Sequence, residues 1–64
     1  MKLDNYKFDQ ILAKRMYTSK ELSNLSGVSC VTLSRIKNNK QIAKPITIGK
    51  LAKALNVEVK EIIE

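Results

Sequence analysis

The sequence has no histidine, one cysteine, two glycines and no long apolar run. Without histidine, a serine or cysteine nucleophile has no imidazole to take its proton. A metal site would fall to Cys30 and carboxylates, a poor donor set for zinc. Gly27 and Gly49 alone cannot build a glycine-rich phosphate loop. A single cysteine cannot close an internal disulfide, so nothing points to an oxidising compartment. A membrane span needs about 20 consecutive apolar residues, and Met1-Lys2-Leu3-Asp4 lacks the apolar core of a signal peptide. A cytoplasmic protein without membrane contact is expected. One string looks catalytic: Ser34-Arg35-Ile36-Lys37 fits S-x-x-K. Its partner motifs are absent, and so short a chain leaves no room for a cleft. The expectation is therefore no enzyme, no cofactor, no metal and no small-molecule ligand.

Acidic residues are also missing from the middle of the chain. The formal net charge is +6, and its distribution is uneven. From Leu22 to Val57 there are six basic residues and no acidic one: Arg35, Lys37, Lys40, Lys44, Lys50 and Lys53. The first 21 residues mix five basic with three acidic groups, and the last seven set Lys60 against Glu58, Glu61 and Glu64. A positive field concentrated in one stretch of a small domain suits a polyanion, nucleic acid first. A solvated lysine surface would give the same composition.

What is present reads as helix. With 64 residues the chain is one domain, 1–64, and 44% apolar content separates it from a disordered tail. Apolar positions recur at helical spacing almost throughout. A first helix is expected from near Asp4, a good cap, to Arg15, with Phe8, Ile11, Leu12 and Met16 as its apolar stripe. Thr18-Ser19-Lys20-Glu21 is a capping box, and Tyr17 and Leu22 hold the hydrophobic-staple positions. The second helix should turn Leu22 and Leu25 inward and end at Gly27. Ser29 caps a third helix, Cys30 to Lys37. Residues of about 18–37 thus form a helix-turn-helix. After a loop at 40–44, Pro45 opens a fourth helix, with Ile48, Leu51, Ala52 and Leu55 inward and Asn56 as its stop. Val59, Ile62 and Ile63 suggest a fifth, short helix.

On a helical wheel Leu33 and Ile36 fall together, while Val31, Ser34, Arg35 and Asn38 fall opposite and Cys30 lies at the flank. The outward face is small, polar and cationic. Such a helix can enter a major groove, where Arg35 can pair bidentately with guanine, Ser29 and Ser34 can reach base edges or phosphates, and Val31 can pack on a thymine methyl. A scattered exposed apolar residue, or a contact with another subunit, would also account for Val31. Cys30 is read as a small groove-surface side chain rather than a redox sensor, since no resolving thiol accompanies it. Asn38, Lys40 and Lys44, with Ser19 and the free amides at the start of the second helix, are candidate phosphate clamps.

Thr18-Ser19-Lys20-Glu21-Leu22-Ser23-Asn24-Leu25-Ser26-Gly27-Val28-Ser29, followed by Thr32-Leu33-Ser34-Arg35-Ile36-Lys37-Asn38-Asn39-Lys40, resembles the helix-turn-helix of the lambda-repressor/Cro-like family. Leu51-Ala52-Lys53-Ala54-Leu55-Asn56-Val57 is similar to that family's next signature, at a fitting spacing. The resemblance covers roughly residues 8–63. It implies a compact all-α, five-helix DNA-binding domain with the third helix as reader. Family base-contact positions map onto Ser29, Cys30, Val31, Ser34 and Arg35. Phosphate-contact positions map onto Ser19, Asn38, Lys40 and Lys44. The sequence departs from the family where Ser19 replaces a frequent Gln, Asn39 a usual Gly, and Cys30 and Val31 longer polar readers; Pro45 also comes later than usual. Arg35 and DNA shape should then carry more of the readout.

The expected function is sequence-specific binding of double-stranded DNA by a transcriptional regulator, with repression the expected direction. A homodimer on a pseudo-palindrome is expected, because one domain contacts few base pairs. The last helix, around Val59–Ile63, is a candidate dimer contact. The alternative is a protein-interaction module, adaptor or antitoxin-like, on the same fold.

Overall fold

A computed structural model describes all 64 residues. Four α-helices fill most of the chain: α1 (Asn5–Arg15), α2 (Ser19–Ser26), α3 (Cys30–Lys37) and α4 (Pro45–Leu55). A single 3₁₀ turn, Val59–Glu61, follows them.

Each helix start is set locally. Asp4 accepts from the Lys7 N–H at 3.1 Å and so caps α1. At α2 the capping box closes in both directions: the Glu21 N–H donates to Thr18 Oγ1 at 3.1 Å, and the Thr18 N–H donates to Glu21 Oε1 at 3.0 Å. Ser29 Oγ accepts from the Thr32 N–H at 3.2 Å and starts α3. Lys44 precedes α4 with no side-chain cap, and Pro45, whose φ is already helical, takes the first position.

The helix ends are equally local, and each of the four has a left-handed residue beside it. Gly27 (φ 77°) ends α2, its N–H donating to the Ser23 carbonyl. Met16, Asn39 and Asn56 adopt φ of 57°, 59° and 57° after α1, α3 and α4. Each of these three sits in a Schellman turn. After α3, for example, the Lys40 N–H donates to the Arg35 carbonyl and the Asn39 N–H to the Ile36 carbonyl.

Thirteen apolar residues form the core, drawn from every helix and both chain ends. Phe8, Leu22, Leu33, Ile48, Leu51, Leu55 and Ile62 are its largest fully buried side chains. Val28, in the turn between α2 and α3, is buried too. It therefore pins the helix-turn-helix onto the same core that α4 completes.

Three expectations need correction. The fifth helix does not form as one. The 3₁₀ turn covers Val59–Glu61, and the backbone beyond it pairs with the N-terminal segment instead. Leu3 and Ile63 make an antiparallel bridge, the Asp4 N–H donates to the Ile62 carbonyl at 2.9 Å, and the Glu64 N–H donates to the Lys2 carbonyl at 3.1 Å. Ile62 is fully buried, so it belongs to this chain's core rather than to a subunit contact. Leu25 is 58% exposed, not inward. It lies about 60° from Leu22 on the α2 wheel, while Ser26, nearer Leu22, takes the half-buried place. Met16 is exposed because its left-handed φ turns it off the face that Phe8 and Leu12 share.

Candidate nucleic-acid interface

α3 buries Leu33 and Ile36 and turns its other side to solvent. Cys30, Val31, Ser34, Arg35, Asn38 and Lys40 line one open concavity there, of about 590 Å³. Two of the six are cationic and none is acidic. Val31 is 65% exposed in the middle of this face, apolar and without a packing partner in the core. A second, smaller concavity of about 220 Å³ shares Cys30, Ser34 and Asn38 with the first and reaches Ser19 at the start of α2. The two together make a continuous surface from the α2 N-terminus along α3.

The hydrogen bonds on this surface are few. Asn38 Nδ2 donates to Ser34 Oγ at 3.3 Å, which joins two turns of the face. Ser29 is already engaged: its hydroxyl donates to Thr32 Oγ1 at 2.9 Å while accepting the Thr32 amide. Arg35 takes part in no ion pair and keeps its donors free. At α2 the capping box satisfies Thr18 and Glu21, and the Leu22 N–H goes to the Thr18 carbonyl. The amides of Ser19 and Lys20 are left as outward donors at the positive end of the helix, a suitable seat for an anion.

Of the nine residues singled out from the sequence, seven line these two concavities: Ser19, Cys30, Val31, Ser34, Arg35, Asn38 and Lys40. Ser29 and Lys44 lie outside them, each exposed as the cap residue of its helix.

Sequence reasoning missed the far end of α3. Lys37 counts in the sequence as one more unbalanced cation. In the fold, α1 grips it three ways. Asn5 Nδ2 donates to its carbonyl at 2.7 Å, Asp9 Oδ1 lies 3.0 Å from its ammonium, and the ammonium stands 5.7 Å from the centre of the Phe8 ring. Asn5, Phe8 and Asp9 follow i, i+3, i+4 and so share one face of α1. That spacing was the available signal, but nothing in the sequence names Lys37 as its target.

A family model described as helix-turn-helix matches residues 9–62. The chain is also 47% identical, over 45 residues, to the HTH-type transcriptional repressor RghR of Bacillus subtilis (strain 168). The match covers 69% of this chain and 33% of that protein, so it spans about a third of its relative's length. Among solved structures, a mutant form of hydroxyethylphosphonate dioxygenase contains a region similar to the whole chain, with TM-score 0.84 and 26% identity. That region is 14% of the dioxygenase chain.

Proposed function

The chain belongs to the lambda-repressor/Cro-like helix-turn-helix family, and from that premise we propose that it is a sequence-specific, double-stranded-DNA-binding transcriptional regulator, acting as a repressor. The observation that carries this reading is the solvent surface of α3 and the turn after it, where Arg35 and Lys40 flank small side chains with no carboxylate among them. α3 enters the major groove. Arg35 reads a guanine through two parallel hydrogen bonds, Val31 packs on a thymine methyl, and Ser34 and Cys30 allow close approach to base edges. Ser29 reaches the groove at the helix start. Ser19, Asn38, Lys40 and Lys44 hold the phosphates on either side and set the register.

The domain measures 25 × 22 × 18 Å. One copy covers few base pairs, so two copies bind as a homodimer to half-sites about one helical turn apart. Similarity to a named repressor supports the direction of regulation. The likeness to a dioxygenase concerns a region that is 14% of that protein's chain.

The test is binding of one selected duplex and one shuffled duplex by wild type and Arg35→Ala. Loss of preference on substitution supports base readout. An equal loss on both duplexes reduces Arg35 to a phosphate contact. Binding that ignores both the substitution and salt moves the chain to the protein-interaction reading.

A further inference from the structure

Resting on the DNA-binding reading, we propose that Lys37 is a phosphate contact held in reserve, and that Asp9 is a specificity-determining residue that competes with DNA for it. Lys37 lines the notch that Ser19, Ser34 and Asn38 also line, beside the open amides of α2. Lys37 thus borders the place where a phosphate would sit. Its ammonium is turned away toward α1, 3.0 Å from Asp9 and over the Phe8 ring. The molecule has two ion pairs; the other, Lys2–Glu64, joins the chain ends, so Asp9 is the carboxylate brought against the α3 surface.

The competition is balanced enough to be switched. The Lys37 side chain is 28% exposed and that of Asp9 59% exposed, so water screens the pair and it is weak. A backbone phosphate offers Lys37 the same charge and adds counterion release. In a loosely docked complex on an arbitrary sequence, Lys37 stays with Asp9. When α3 seats fully in its own site, the phosphate beside the α2 amides comes within reach and takes Lys37. Asp9 therefore withholds one cation from sequence-independent binding and releases it for the matched sequence. The gain is in the ratio between the two affinities, not in affinity as such.

The experiment is the salt dependence of binding to a random-sequence duplex and to the selected duplex, by fluorescence polarisation. The proteins are wild type, Asp9→Asn, Lys37→Gln and the double variant, each checked for a cooperative thermal melt. On the random duplex Asp9→Asn should bind about three- to tenfold tighter near 0.1 M salt, with a log–log slope steeper by roughly 0.9. Its gain on the selected duplex should be smaller, and in the Lys37→Gln background the gain should vanish. An unchanged slope in Asp9→Asn overturns the proposal. So does an equal gain with Lys37→Gln present, because Asp9 would then act only as a negative charge near DNA. A wild type that binds no duplex removes the DNA-binding reading and this proposal together, which sets that failure apart from the others. If Asp9→Asn does not fold, the wild type still decides. The ammonium ¹⁵N signal of Lys37 should shift on saturation with the selected duplex more than with the random one, and equal shifts would contradict the exchange.

Discussion

Asn5 Nδ2 donates to the carbonyl of Lys37 at 2.7 Å, joining the first turn of α1 to the last turn of α3. The last carbonyls of a helix have no partner within it, and this side chain supplies one. The side-chain oxygen of Asn5, Oδ1, is buried without a partner. Asn5→Ala removes a useful donor and an unsatisfied acceptor together. The net cost should be close to that of one ordinary hydrogen bond, about 1 kcal/mol. Urea denaturation measures it. Binding to a selected duplex should weaken as well, because the helix that carries Arg35 loses one of its anchors.

Leu22 and Leu25 sit one turn apart on α2 with opposite fates, fully buried and 58% exposed. Leu22→Ala should cost roughly 2–5 kcal/mol, a transfer loss plus a cavity. That is a large share of the stability of so small a domain. Leu25→Ala should stay within about 0.5 kcal/mol. Denaturant midpoints of the two variants check the contrast. A large loss at Leu25 would place it in an interface with a second chain.

Asn39 and Gly27 have positive φ after successive helices of the helix-turn-helix. Asn39→Gly relieves a left-handed side-chain position and should stabilise by roughly 0.5–1 kcal/mol. Gly27→Ala meets no atom within 4 Å, so its cost is purely conformational. It should destabilise by about 1–2 kcal/mol. Thermal melts of the two variants should move in opposite directions. Met16→Gly should follow Asn39→Gly in sign.

Arg35 and Lys44 should fail differently on DNA. Arg35→Ala should cost roughly 1–3 kcal/mol on the selected duplex and relax one base position. Lys44→Ala should weaken binding to all sequences alike and flatten the salt slope by about 1. Titrations at several salt concentrations on matched and single-base-substituted duplexes separate the two patterns.

The parts of this fold legible in the sequence are those set by neighbours. The caps at Asp4, Thr18 and Ser29 form the expected bonds with residues three positions on. Pro45 opens α4, and Asn56 closes it in a left-handed conformation. The outward face of α3 follows from helical period alone, since Leu33 and Ile36 fix which side is buried. Leu25 and Met16 depart from the helical wheel because it assigns an apolar residue inward without knowing how wide the contact is or where the helix turns off. The Leu3–Ile63 bridge carries no periodicity, one residue on each side, and it replaces the last helix. The grip of Asn5, Phe8 and Asp9 on Lys37 is likewise non-local. Charge counting therefore assigned Lys37 to the free cations, although a carboxylate far away in sequence holds it.

The most direct test of DNA reading by α3 is selection of bound duplexes from a random DNA library at near-physiological salt. A dimeric, sequence-reading regulator enriches a palindromic motif with two half-sites about one helical turn apart, each containing a guanine whose preference disappears in Arg35→Ala. Binding without enrichment, or no binding at all, would contradict that reading.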